Sequence, residues 1–343
     1  MKVFWDEVQL QHAPRFFLQR GEVRRNFEVP DRARALLSGV AALGLHPEAP
    51  TDQPEAALEM VHTAAYLDFL RTAHAEWQAM PEAGPEVVAN IHPAPEMLAN
   101  GARTGSTVIG RTGWFTADAA CPIGTGTWQA ALSAAQCALA AADEAARGGT
   151  AYALVRPPGH HAYPARAGGH CYLNNAALAA ERLRRAGAVR VAVLDIDSHH
   201  GNGTQGTFWD RDDVLFVSIH GDPDGYYPWY VGHADERGGG NGVGCNLNVP
   251  LARGSGDGQW LAALGTGLAE IRHFGAEALV LSLGFDASEH EPLNYLAVSA
   301  DGFARAGERI GQLRLPACLV QEGGYNIEML GTLLGRFLAA YAA

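Results

Sequence analysis

The sequence predicts an α/β fold: an open, mostly parallel sheet flanked by helices. Three observations lead there. Five short runs of branched or apolar residues recur along the chain, helical patterns lie between them, and polar ionisable residues follow the end of each run. Runs that are apolar on both faces suit strands covered by helices on either side. Their alternation with helices is the pattern of an open α/β sheet.

Taken in order, residues 31–43 and 54–76 read as helices, with Asp31 and Asp52 near their starts. Residues 78–126 hold many Gly, Pro, Thr and Asn and little periodicity. A stretch that long without regular structure is usually functional or an interface. An Ala-rich helix follows over 127–147 and stops at Gly148-Gly149. Strands are predicted at 151–155, 190–194, 214–219, 278–283 and 316–320. The helices between and after them are 174–186, stopping at Gly187, 260–274, stopping at Gly275, 299–312 and 328–343. Without a repeat or a low-complexity tail, residues 1–343 read as one catalytic domain with a loop insert at about 78–126.

Composition narrows the partners. A chain 48% hydrophobic and 18% charged fills a core, and a formal charge of −12 gives no general attraction to a phosphate backbone, so no nucleic-acid partner is expected. The cysteines Cys121, Cys137, Cys171, Cys245 and Cys318 are scattered, with no CxxC pair. They suit a reducing compartment and offer neither a disulfide framework nor a zinc knuckle. Residues 1–6 are already charged, and the longest apolar run, 130–142, falls short of the ~20 residues of a membrane span. The expectation is a cytoplasmic protein with no membrane partner.

Ligands in open α/β sheets bind beyond the carboxyl ends of the strands, and there the chemistry collects. Asp195-Ile196-Asp197-Ser198-His199 follows one strand, Asp286 another, Arg156-Pro157-Pro158-Gly159-His160-His161 a third, and Gln321-Glu322-Gly323-Gly324-Tyr325 a fourth. Positions two apart on an extended strand end point the same way, so Asp197 and His199 can share one ion and Asp286 can complete the set. Two carboxylates and one imidazole suit Zn²⁺ with an open position, with Fe²⁺ or Co²⁺ chemically possible. Alone, the Asp-x-Asp-x-His run would equally describe a polar turn; Asp286 and the His pair tip the balance. The Pro-Pro-Gly corner can hold both imidazoles against a metal-bound water, with Asp195 backing His160 as general base. Tyr325 follows two glycines that permit a tight, mobile turn and can donate to a developing oxyanion. No phosphate-cradling loop and no Gly-x-Ser-x-Gly elbow is present.

These motifs, in this order, resemble the histone deacetylase superfamily from His62 to the C-terminus, and most of all its bacterial acetylpolyamine amidohydrolases and class II-type amidohydrolases. The resemblance implies an arginase-like fold and one Zn²⁺ per chain on Asp197, His199 and Asp286. It implies His160, paired with Asp195, as base, His161, near Asn202, as the acid that protonates the leaving amine, and Tyr325 on the scissile carbonyl. It also implies potassium held by carbonyls of Asp195, Asp197, His199 and Ile219 and by the Ser218 hydroxyl. The implied reaction removes an acetyl group from an acylated amine, of acetylpolyamine or acetyl-lysine type.

Relatives line a tunnel with aromatic rings. The matching positions are His170, in Gly168-Gly169-His170, and Tyr227, with Gly169 and Leu293 beside them. Ile109, Ala120 and Leu293 stand where rim carboxylates are sought, which weakens a polyamine reading, and Asp118, Glu289 and Glu291 are candidates to substitute. Dimerisation through the 78–126 loop is expected, with Ile91, Met97, Leu98, Trp114 and Phe115 as its apolar contacts. Hydrolysis of another small amide or ester, acyl-amine binding without catalysis, and two-metal ureohydrolysis are the alternatives. The last lacks a second ligand set.

Overall fold

The computed structural model describes residues 1–343. Its first strands are β1 (Lys2–Phe4), β2 (Phe16–Gln19), β3 (Glu22–Arg25) and β4 (Pro47–Glu48). The predicted strands appear as β5 (Thr150–Ala153), β6 (Val191–Asp195), β7 (Val214–Gly221), β9 (Ala278–Leu283) and β10 (Ala317–Gln321), and β8 (Asn246–Leu251) lies between the third and fourth of them. Eight strands form one sheet in the order β4-β1-β5-β10-β9-β6-β7-β8, and every neighbouring pair is parallel. Only the β2-β3 hairpin is antiparallel, and it stands apart from the sheet.

Period-two alternation divides each central strand between two cores. Val191 and Val193 face the side covered by α2 (Ala64–Gln78), α5 (Thr127–Ala146) and α6 (Asn175–Arg185). Ala192 and Leu194 face α1 (Asp31–Ala42), α8 (Asp257–Phe274), α9 (Ala300–Gly311) and α10 (Ile327–Tyr341). Each fully buried Leu or Phe contributes about 1.5–3 kcal/mol. The alanines of α5 let that helix lie close on the sheet; Ala134, Ala138 and Ala141 have no exposed surface.

Local chemistry sets several ends. Asn174, Ser299 and Asn326 cap α6, α9 and α10 by accepting the backbone N–H of Ala177, Gly302 and Met329. Gly275 ends α8 with φ +72°, the left-handed conformation that glycine adopts freely. Three expectations need correction. The helix expected over 54–76 is broken into a 3-10 turn, Glu55–Met60, and α2, which starts after Thr63; Asp52 caps neither. The 78–126 insert holds two short helices, α3 (Pro95–Ala99) and α4 (Val108–Phe115). Phe115 is buried in the core and so is not one of the outward apolar contacts expected for a dimer, while Trp114 is half-buried and packs against the core. No helix is long and apolar enough to cross a membrane.

Candidate metal centre and active site

The strand order brings distant pieces of chain together. β6 lies between β9 and β7, and β10 flanks β9. The segments leaving the carboxyl ends of β5, β6, β9 and β10 therefore meet over one region of the sheet, and Asp197, His199 and Asp286 converge there with ligand atoms all within 4.8 Å of one another. His199 Nδ1 lies 3.2 Å from Asp197 Oδ1 and 3.0 Å from Asp286 Oδ2. Both carboxylates are fully buried. Burying two such charges side by side is costly without a cation, and a donor set of two oxygens and one nitrogen fits a divalent ion.

The backbone fixes these acids. Asp286 Oδ1 accepts the Ser198 N–H at 2.7 Å, and Asp197 Oδ2 accepts the Gly323 N–H at 2.8 Å. Glycine is required where the acids press on neighbouring strand ends. A Cβ on Gly323 would sit 2.2 Å from Asp286 Oδ2, and one on Gly284 would sit 2.1 Å from Asp197 Oδ2. The Gly323-Gly324 turn is thus a packed cradle instead of the mobile turn expected: Arg32 donates to the Gly324 carbonyl at 2.6 Å, and a Cβ on Gly324 would meet Leu330 and Phe285.

The paired histidines stand beside the centre. His160 Nδ1 is 2.9 Å from Asp195 Oδ2, and its Nε2 points towards Asp197 Oδ1 at 3.8 Å. Burial works against the charged ring, but Asp195 and then Asp197 outweigh it and hold His160 up at about 10. A cation held by Asp197 would offset part of that carboxylate's support for the charged His160 ring. His161 Nδ1 bonds Asn202 Oδ1 at 2.7 Å, at the start of α7 (Asn202–Phe208). Burial, then the neighbouring His160 and His199 rings, push His161 well below the usual imidazole range. Burial also raises the Tyr325 phenol well above its ordinary value, so it stays a hydrogen-bond donor.

A cavity of about 220 Å³ opens onto these groups. His161, His199 and Tyr325 stand in its lining with Gly169, His170, Tyr227 and Leu293. Burial lowers His170 to about 4, which leaves a neutral flat ring; it meets Phe17 and Tyr325 edge to face. Of the three substitute rim acids, only Asp118 lines the cavity, and its Oδ2 accepts the Tyr227 hydroxyl at 2.6 Å and the Gly169 N–H at 3.1 Å. Glu289 is not in the lining, and Glu291 is buried behind Tyr325, accepting that residue's N–H at 2.6 Å. Ala120 lines the cavity; Ile109 is exposed elsewhere.

Sequence reasoning missed several participants. Phe17 enters the cavity from the β2-β3 hairpin, whose Arg20-Gly21 turn between strand-like residues was the available signal. Tyr226 stacks on the His199 ring at 4.4 Å. Glu322 accepts the Gly159 and His160 N–H groups at 2.7 and 3.2 Å and the Ser282 hydroxyl at 3.1 Å, tying the His corner to β9 and β10. These bonds commit Glu322 to structure, although it gathers with His160 and Cys171 as a second potential ligand cluster. Nothing in the linear pattern marked buried Glu28, which pairs with Arg32 at 2.8 Å and Arg156 at 2.7 Å behind the site.

Residues 26–341 match the histone deacetylase domain. The chain belongs to the histone deacetylase family. It is 46% identical over 346 residues to an acetylpolyamine amidohydrolase of Burkholderia pseudomallei, a match covering 100% of this chain and 99% of that one. It is 43% identical to acetylpolyamine amidohydrolase 1 of Pseudomonas aeruginosa, over 99% of this chain and 98% of the relative. A crystal structure of an acetylpolyamine aminohydrolase from Burkholderia pseudomallei superposes with a TM-score of 0.95 at 46% identity, covering 100% of this chain and 99% of that one. The likeness extends over the whole chain, the eight-stranded parallel sheet included, and a histone deacetylase-family chain of this kind is a deacetylating amidohydrolase.

Proposed function

We propose that this protein is a zinc-dependent amidohydrolase that removes the acetyl group from an N-acetylated amine of acetylpolyamine or acetyl-lysine type. The observation that carries the reading is the convergence of Asp197, His199 and Asp286 at the foot of a cavity walled by His161, His170, Tyr227 and Tyr325. Asp197, His199 and Asp286 would hold Zn²⁺, which supplies Lewis acidity towards an amide carbonyl and a water molecule.

The side chains do the rest. His160, oriented through Nδ1 by Asp195, takes the proton of the attacking water at Nε2. Tyr325 donates its hydroxyl hydrogen to the carbonyl oxygen as negative charge grows there. His161, whose Nδ1–H donates to Asn202 Oδ1, faces the departing nitrogen with Nε2. It acts as the imidazolium once substrate is bound, gives its Nε2 proton to that nitrogen, and is reprotonated by the proton that His160 took from water, the two rings lying 3.9 Å apart. Asn202 is neutral and stabilises a charged His161 less than a carboxylate would. Acetate and a free amine are the products. Gly169, His170, Tyr227 and Leu293 confine a slender acyl-amine chain, and Asp118 offers the cavity its one carboxylate outside the metal-ligand cluster.

Potassium would sit behind the zinc loop, on carbonyls of Asp195, Asp197, His199 and Ile219 and on the Ser218 hydroxyl; Asp195 and Ser218 are register partners across β6 and β7. Exposed Ile91, Met97, Leu98 and Ile109 on the insert support a homodimer through that region, and the chain's composition supports a cytoplasmic location.

One experiment tests the core of this. Metal content is measured with activity on acetylated putrescine, cadaverine, spermidine and lysine peptides, before and after chelation. One zinc per chain, with turnover lost on chelation and restored by Zn²⁺, is expected. A metal-loaded sample that cleaves no acyl-amide refutes the reading.

A further inference from the structure

We propose that Glu291 is a positioning residue for Tyr325, holding the backbone of the catalytic tyrosine from within the loop that also forms part of the cavity wall. The proposal rests on the role given to Tyr325 above. Glu291 is only 3% exposed. One carboxylate oxygen accepts the Tyr325 N–H at 2.6 Å and the other faces the Asn326 N–H at 3.4 Å. A carboxyl group withdrawn from water this completely is costly to bury unless fixed donors meet it, and here the donors are the amides of the tyrosine and the residue after it.

The clamp has a second jaw. Arg32 takes the carbonyls of the same turn, donating to Glu322 O and Gly324 O at 2.6 Å each, and its guanidinium lies 4.8 Å from the centre of the Tyr325 ring. Amides on one side and carbonyls on the other are thus both engaged across a turn whose Gly324, at φ +120°, has a conformation open to glycine and to few other residues. Asn326 locks the two loops further: its side-chain amide donates to His290 O at 2.6 Å while its oxygen caps α10 at Met329. Leu293, two residues beyond Glu291, lines the cavity. The loop that shapes the substrate channel therefore also sets where the phenol stands.

A role exercised through Tyr325 makes a prediction that general destabilisation does not. Steady-state kinetics on one acetylated diamine are measured for wild type, Glu291→Gln, Glu291→Ala and Tyr325→Phe, and for each Glu291 substitution combined with Tyr325→Phe. Zinc content and thermal unfolding are recorded for every variant. Displacing a reacting group by about 1 Å can cost ~100-fold. Glu291→Ala is expected to lower kcat by ~10- to 100-fold with KM within about 2-fold. Glu291→Gln, which keeps one acceptor oxygen, is expected to fall between. In the Tyr325→Phe background both substitutions are expected to be nearly silent, because the group they position is gone.

Equal losses in both backgrounds, or a rise in KM with kcat unchanged, overturn the proposal. If Glu291→Ala fails to fold, the near-isosteric Glu291→Gln decides by the same comparison. A zinc-loaded wild type inert towards every acylated amine overturns the amidohydrolase reading instead. An active wild type with additive losses overturns only the role of Glu291.

Discussion

Replacing Gly323 with alanine adds one methyl group at the point where the carboxylates of the proposed zinc ligands Asp197 and Asp286 touch the backbone. That methyl would lie 2.2 Å from Asp286 Oδ2 and 2.6 Å from Asp197 Oδ2, where ordinary contact begins at 3.4 Å. One acid must retreat by about 1 Å, or the turn must. Neither acid has slack: Asp286 is held by the Ser198 N–H at 2.7 Å, and Asp197 accepts the His199 N–H at 2.9 Å. Backbone strain does not contribute, because Gly323 is not in the left-handed region. A displacement of that size predicts a fall in kcat/KM of ~100-fold. Overpacking costs about 1–3 kcal/mol of stability, so the protein should still fold. The assay pairs kcat/KM with zinc content after dialysis and thermal unfolding. Gly265→Ala is the control: it lies on an exposed turn of α8 with nothing within 4 Å of the added carbon, and it should leave activity unchanged and stabilise by about 0.5–1 kcal/mol. If Gly323→Ala kept full zinc and wild-type kcat/KM, the close-packed carboxylate pair would not be what holds the metal.

Two further predictions concern charge. Burial would raise the Glu28 carboxyl, but the Arg156 and Arg32 guanidiniums outweigh it and hold Glu28 below its usual range. Its contribution is therefore present above the unfolded value of about 4.3 and is lost as pH falls through the folded one. Glu28→Gln should cost about 3–5 kcal/mol in urea unfolding at pH 7, and the deficit should shrink on acidification; a deficit independent of pH would contradict the ion-pair account. Asn202→Asp puts a carboxylate where Asn202 Oδ1 now meets His161 at 2.7 Å. It should favour the imidazolium and move the basic limb of the kcat profile to higher pH by about 1 unit, and an unshifted limb would remove His161 as the acid.

The elements legible in the chain are those with strong local signals. The five central strands and the helices over 127–147, 174–186, 260–274, 299–312 and 328–343 emerge within a few residues of their predicted bounds. The short strands β1 and β4 at one end of the sheet are not legible, because two or three residues carry no period. The helix predicted over 54–76 spans a break that apolar spacing does not mark: the backbone leaves the helix after Met60 and re-enters it at Ala64. Glu291 was misassigned for a related reason: an acid near a tunnel position reads as a rim charge, and only its hydrogen bonds to Tyr325 and Asn326 reveal it as buried support.

Periodicity, strand-end polarity and motif order were enough to settle the fold class and to nominate Asp197, His199, Asp286, His160, His161 and Tyr325. Such signals are written in neighbouring residues, each of which reports its own element. Tertiary structure alone decided that β6 lies beside β9, that Gly284 and Gly323 press against Asp197 and Asp286, and that Arg32, itself paired with Glu28, and Glu291 brace the tyrosine turn. Those relations join residues up to hundreds of positions apart and depend on which strands pair, a choice made by packing the whole core and not by any local pattern.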